Sequence, residues 1–382
     1  MSGQPNIVTK SRTKLIWLLF MHRHGDRAPL NMAPRDRYNN IAYWPDGFGN
    51  LNNAGRARMY KLGRFIRRRY DNFMTDNMRE VYSRSSDVDR CIESSNAVLA
   101  GLYPPSPRFL WSDLLPWLPA PVHTVPAESD LLLNDSCRRG SYEFINENCI
   151  VQHSEAVEKL YADSVEEREI LERELGYDFD MFYNFKCIYS TLDIEERNGL
   201  QMPAWWVEEF KQKMCRFSGI AFALAGGGTE NLKRIHCADL LDDLIKRMKS
   251  ASIDEPAPLD QSDTQQPTNA NRVIYGHKIV HYSTHDTIIA AFLEALNVNA
   301  AVPSPPGFGA TFFIELYVDL NQQGEPVSEK YLKLFYMNDS STEEVIEKKL
   351  PGCKLNEKGQ LTLDSFRQYV AHLLPGYIKE PQ

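Results

Sequence analysis

The chain has 382 residues, with 43 Lys plus Arg against 51 Asp plus Glu and a formal net charge of −8. That balance offers no broad attraction to phosphate backbones or anionic lipid, which argues against nucleic acid as a main partner and leaves any anion to a local basic cluster. At 43% hydrophobic and 25% charged, the composition is that of a globular protein with a large core, not of a disordered chain.

The first apolar run, at 15–21, is too short for the roughly 18 residues of a membrane helix. It follows Lys10, Arg12 and Lys14 but lacks a small-residue cleavage site and runs into His22-Arg23-His24. It therefore reads as a first strand over 15–20, covered on both faces. The polar stretch 23–29 follows it. Residues 53–70 have helical spacing, with Asn53 as cap, Met59, Leu62, Phe65 and Ile66 on one face, and Arg67, Arg68 and Arg69 in the last turn. A strand over 80–83 leads into Arg84-Ser85-Ser86-Asp87, and a helix over 90–102 ends before Pro104-Pro105. The segments 155–174 and 205–224 are helical, so the middle third reads as an all-helical insertion. Gly226-Gly227-Gly228 lacks the Lys-Ser/Thr of a nucleotide loop and reads as a helix stop. Residues 250–271, rich in Pro, Gln, Ser, Asp and Asn, read as an exposed loop. A strand over 278–282 and a helix over 287–296 then flank His285-Asp286. Strands alternating with helices at both ends imply an α/β sheet, whose sites lie beyond the carboxyl ends of its strands.

Two polar clusters follow the two clearest strands: Arg23-His24-Gly25-Asp26-Arg27-Ala28-Pro29 and His285-Asp286. In a parallel sheet both open on one crevice, although they lie far apart in the chain. Arg23 and Arg27 around a histidine present planar donor forks suited to phosphate, and Arg84, after its own strand, adds a third. Gly25 permits close backbone approach. A histidine among arginines keeps a low pKa and stays a neutral nucleophile, so His24 is suited to attack phosphorus and form a phosphohistidine. Asp286 then supplies the proton that the leaving oxygen needs. His22, His123, His277 and His281 read as core or surface histidines, and Trp205-Trp206 as packing.

Together these residues resemble the histidine acid phosphatases, a branch of the phosphoglycerate-mutase-like superfamily, and especially its animal prostatic and lysosomal members. The similarity runs through Arg23-His24-Gly25-Asp26-Arg27-Ala28-Pro29, Trp44-Pro45-Asp46-Gly47-Phe48-Gly49 and the segment 82–90. It continues through Pro121-Val122-His123-Thr124-Val125-Pro126, Ser283-Thr284-His285-Asp286-Thr287, Glu315-Leu316-Tyr317 and Leu350-Pro351-Gly352-Cys353. It implies a three-layer α/β/α sandwich with a mainly parallel central sheet, in parts 1–135 and 236–382, and an inserted all-helical cap over 136–235. It makes His24 the nucleophile, Asp286 the proton donor, and Arg23, Arg27, Arg84 and His285 the phosphate ligands, with no metal or organic cofactor. The substrate is then a small-molecule or phosphoprotein phosphomonoester, and the setting secreted or lysosomal. No signal peptide or membrane span is visible, and a homodimer follows by analogy with the prostatic relatives. The competing readings are a phytase-like or lysophosphatidate-type phosphatase of the same superfamily and a non-catalytic ligand-binding protein on this scaffold. The latter expects loss of His24, Asp286 or an arginine, and none is lost.

The seven cysteines are scattered, with no Cys-x-x-Cys pair. By the resemblance, Cys353 bonds back to Cys137 or Cys149; Cys187 either bonds Cys215 across the helical insertion or stays free. Gly309-Ala310-Thr311 stands where vertebrate members have the usual partner of the cysteine that Cys187 resembles. Cys91 and Cys237 read as buried free thiols. Such bonds, with sequons at Asn134 and Asn338, would fit an oxidising compartment and a glycoprotein.

Overall fold

A computed structural model describes residues 12–134, 137–253, 277–299 and 303–377. Its centre is one seven-stranded sheet in the order β2-β3-β1-β4-β5-β6, with β7 pairing β5. Strand β1 (Arg12–Arg23) is central because both its faces are apolar and buried. It runs parallel to β3 (Ile279–Thr284), which runs parallel to β2 (Val81–Ser85). On its other side β1 is antiparallel to β4 (Thr311–Leu320), followed by β5 (Tyr331–Met337) and the short β6 (Ile346–Lys348) and β7 (Leu361–Thr362), all antiparallel. The expected α/β fold is present. Its parallel part is the three-strand half β2-β3-β1, and the half beyond β1 is antiparallel because β4 and β5 follow one another through a short turn, as hairpins do.

Alternation along β1 distributes its side chains between two helical layers. Leu18 and Phe20 pack with Met59, Leu62 and Ile66 of α1 (Asn53–Arg69) and Val98, Leu99 and Leu102 of α2 (Asp89–Leu102). Trp17, Leu19 and Met21 face the other way, against α8 (Glu230–Ser250), α9 (Asp286–Ala295) and α10 (Leu363–Tyr369). At about 25 cal/mol per Å² of apolar surface, such two-sided burial is the main force holding the layers together.

A separate core, including Phe182, Phe185, Ile188, Trp206, Phe210 and Met214, gathers the five helices between α2 and α8. They are α3 (Tyr142–Gln152), α4 (Glu155–Asp163), α5 (Val165–Leu175), α6 (Asn184–Arg197) and α7 (Glu208–Gly227). Ser164 divides the helical stretch expected over 155–174, its hydroxyl turning back to the Leu160 carbonyl at 2.7 Å. The glycine run ends α7 as expected. The expected cap boundary after residue 235 falls inside α8. Most of the loop expected at 250–271 lies outside the described residues.

Candidate active site

The three parallel strands end side by side, and the residues just beyond them form the site. The His24 amide donates to the Thr284 carbonyl at 3.1 Å and the Ser86 amide to Ser283 at 2.9 Å, so the turns after β1, β2 and β3 are laced together. Helices α2 and α9 start there, each with its amino-terminal dipole end toward the crevice. A Cβ on Gly25 would lie 2.7 Å from the Gly55 carbonyl oxygen and 2.9 Å from Met59 Cγ. Glycine is therefore needed for the turn to lie against the first turn of α1.

His24 is buried, and its Nδ1 lies 2.9 Å from the Gly25 carbonyl oxygen. A carbonyl only accepts, so Nδ1 carries the proton and the Nε2 lone pair is left without a partner among the described residues. Burial first, then the charges of Arg23, Arg90 and Arg27 and the nearby His285, hold the imidazole well below its ordinary pKa. Arg23 donates to the Pro306 carbonyl at 2.7 Å, pairs with Asp286 at 2.7 Å and lies 4.2 Å over the Phe308 ring. Arg27 donates to the Ala28 carbonyl, and burial together with Arg23 pushes its guanidinium down to about 9. Burial raises the Asp286 carboxyl, but Arg23, Arg27, Lys186 and His285 together pull it further down, so it rests below the usual carboxylate range. The His285 ring stands edge-on to His24 at 5.8 Å, with Nε2 2.9 Å from Ser86 Oγ and Nδ1 3.4 Å from Arg90 Nη2. The Nε atoms of Arg23, Arg27, Arg84 and Arg90 are all buried with no hydrogen-bond partner among the described residues. Crowded cations with unused donors need an anion.

Arg84 is placed differently from the expectation. Its guanidinium binds Asp130 at 2.5 Å in a buried ion pair. Being on β2 itself, it precedes the turn. Arg90, the second residue of α2, takes the place beside His24 and His285. Its signal in the sequence was positional: it opens the helix after β2, as Asp286 opens the helix after β3.

The family model of the histidine phosphatase superfamily (branch 2) matches residues 14–337. This chain belongs to that superfamily. Bovine prostatic acid phosphatase is 31% identical over 348 residues, covering 89% of this chain and 81% of the relative. Lysosomal acid phosphatase of Xenopus laevis is 27% identical over 356 residues, covering 89% and 73%. Among solved structures, the phytase from Citrobacter braakii shares the fold with a TM-score of 0.68 at 17% identity, over 94% of this chain and 98% of that one.

In this histidine phosphatase no disulfide joins the cysteines among the described residues, so neither expected pairing is present. Cys137 turns its Sγ to the Asp130 carbonyl at 3.4 Å, Cys149 lies beside His153 on the exposed face of α3, and Cys353 faces the Lys354 and Ser365 carbonyls. On α6 and α7, Cys187 lies against Tyr177 and Cys215 against Tyr189, each thiol raised by burial. Cys91 and Cys237 are buried free thiols, as expected. The sequon residue Asn134 is also buried, with its amide 3.3 Å from Ser86 Oγ, so it belongs to the polar surroundings of His285 rather than to an accessible surface. Sequence reasoning missed two further site residues. Phe308 stacks on Arg23 and packs near His24 at 6.1 Å, while the charge of Lys186 on α6 acts on Asp286. Only their position in the fold reveals them. Among the described residues, no helix is long and apolar enough to cross a membrane.

Proposed function

We propose that this histidine phosphatase is an acid phosphatase that hydrolyses phosphate monoesters through a phosphohistidine on His24. The observation that carries the reading is the buried neutral imidazole whose Nδ1 proton is committed to the Gly25 carbonyl, leaving Nε2 to face guanidinium groups with unused Nε donors. Arg23, Arg27, Arg90 and His285 hold the phosphoryl oxygens. Arg84, held by Asp130, is not one of them.

The Nε2 lone pair attacks phosphorus as the bond to the leaving oxygen breaks, and Asp286 protonates that oxygen. Asp286 then takes a proton from water while the water oxygen attacks phosphorus, the P–N bond breaks, and inorganic phosphate leaves with neutral His24 restored. In the free protein Asp286 is ion-paired with Arg23. A bound phosphate competes for Arg23 and adds negative charge nearby, and both effects raise the carboxyl's pKa. Acid supplies the proton, since the phosphate second pKa is about 6. The depressed pKa of His24 keeps its lone pair available in the same range.

Helices α3–α7 act as a cap, with α6 on the leaving-group side; the effect of Lys186 on Asp286 supports this. Its acid phosphatase relatives support a secreted or lysosomal setting, in which acid pH suits this chemistry. Initial rates on phosphotyrosine, a nucleoside monophosphate, lysophosphatidate and phytate, with the parent and His24→Ala, test the reading. Turnover of a monoester that disappears in the variant supports it, and equal turnover by both proteins rejects it.

A further inference from the structure

Beneath the site lies a polar chain that none of the roles above uses. His22 and His281 are completely buried on neighbouring strands, with Nε2 atoms 2.8 Å apart and rings stacked at 4.9 Å. Phe20 covers the other side of His281 at 4.7 Å. His22 Nδ1 lies 3.0 Å from the Arg23 carbonyl oxygen, His281 Nδ1 lies 3.0 Å from Ser83 Oγ, and Ser83 Oγ lies 3.1 Å from Ser95 Oγ.

The protons in this chain can be assigned one by one. The Arg23 carbonyl only accepts, so His22 carries its proton on Nδ1. With neutral rings, His22 Nε2 accepts from His281 Nε2–H, and His281 Nδ1 accepts from the Ser83 hydroxyl. Ser83 in turn accepts from Ser95. The chain runs one way, Ser95 to Ser83 to His281 to His22 to the Arg23 carbonyl, and crosses α2, β2, β3 and β1, elements that carry or support the site. A further proton on either ring would break a link and find no counter-charge. The groups facing the rings are Ser83, Ser95 and, opposite His22 on β4, Thr311, while the nearest charge along β1 is Arg23 itself. Burial accordingly pushes His22 down to about 4 and His281 well below its usual value.

We propose that His22 and His281 are positioning residues, a neutral pair whose ordered hydrogen bonds fix the peptide between Arg23 and His24 and so aim both the guanidinium and the attacking imidazole. The same segment is held from α2 on its other side: the Gly25 amide donates to Ser94 Oγ at 3.1 Å, and Ser94 donates to the Arg90 carbonyl at 2.6 Å. The Arg23–Gly25 turn is therefore fixed at the carbonyl of its first residue and the amide of its last. Apolar side chains at 22 and 281 would fill the same interior without binding the Arg23 carbonyl. The inference rests on the proposal that His24 attacks phosphorus.

The test compares His22→Leu with His22→Asn, whose amide nitrogen retains a donor near the Nδ1 position. Small misplacements of reacting groups lower rates steeply, so His22→Leu should lose about tenfold in kcat with KM within about twofold, and His22→Asn should recover most of the loss. A folded His22→Leu protein with parental kcat overturns the proposal. Nitrogen-15 NMR of the parent enzyme at pH 5 does not depend on how the variants fold. It should show both imidazoles neutral, with His22 protonated on Nδ1 and His281 on Nε2. An imidazolium at either position, or the reverse tautomers, overturns it as well. If His24→Ala keeps its activity, the phosphohistidine reading falls while the NMR result stands by itself.

Discussion

In the antiparallel half of the sheet, Glu315 of β4 accepts from Tyr70 at 2.7 Å and Tyr317 at 2.5 Å, and Asp319 accepts from Thr13, Tyr331 and Lys358. At the ends of the parallel strands, by contrast, Arg23, Arg27 and Arg90 crowd around His24 with unused Nε donors. Both regions bury polar groups, but one pairs its carboxylates within the chain and the other gathers cations whose donors the chain leaves free. Buried charge without enough partners is costly inside a protein. Three arginines that share the single carboxylate of Asp286 around a neutral nucleophile, with Nε donors to spare, point to an anion that arrives from outside. The Arg84–Asp130 pair stands within a few residues of the second region and yet, although Arg84 Nε is also unused, its charge is balanced within the chain as in the first.

That contrast can be broken most decisively at the nucleophile. His24→Ala should lower kcat by about 10⁴-fold or more, as removal of a catalytic nucleophile does elsewhere, with the thermal midpoint close to the parent's. Next comes Asp286→Asn, which should slow alkyl phosphates by about 10²–10⁴-fold, the usual contribution of a general acid, and nitrophenyl phosphate far less. Equal losses on both substrates would remove Asp286 from that role. Arg90→Ala should follow, with a loss in kcat/KM of about 10²-fold or more, comparable to removing one preorganised charge donor. Arg84→Ala sharpens the comparison. It leaves Asp130 buried and unpaired, so it should cost about 3–5 kcal/mol in unfolding free energy while leaving kcat/KM of the folded fraction near the parent's.

The smallest effects belong to the paired region. Asp319→Asn should leave activity unchanged and lower stability by about 1–2 kcal/mol, as loss of charge-assisted bonds does. Burial raises the Asp319 carboxyl, but the bonds from Lys358, Tyr331 and Thr13 pull it below its ordinary value. A depressed folded-state pKa stabilises the protein above the unfolded value, about 3.9, and that stabilisation is lost as pH falls through the folded pKa. Urea unfolding at pH 7 and at pH 3 should therefore show the gap between parent and variant shrinking in acid. EDTA should leave phosphatase activity unchanged, because the proposed clamp consists of arginines.

Much of this was legible in the sequence because strands and helices announced themselves by period. The apolar run that becomes β1, the helix starting at Asn53 and the His285-Asp286 turn all stand where their patterns put them. The antiparallel direction of β4–β6 was not legible, since a buried strand shows the same apolar run whichever way its neighbour runs. Arg84 and Arg90 lie six residues apart around one turn and differ in which side of the strand end they occupy, and only the folded turn reveals that Asp130 holds the first. Phe308 and Lys186 reach the site from distant segments, and His22 and His281 looked like ordinary core histidines until their nitrogens were seen to meet. The cysteine pairings came from family likeness, which preserves motifs more faithfully than it preserves each bond.

The central claim is that the arginine cluster around His24, with its unused Nε donors, serves a covalent step on that histidine. The direct measurement is to mix the enzyme with a ³²P-labelled monoester, quench in alkali within the first turnovers and locate the label by mass spectrometry. The account predicts a phosphoryl group on His24 Nε2, with no label on His24→Ala protein. Label on another residue, or full turnover with no labelled protein at any quench time, would contradict it.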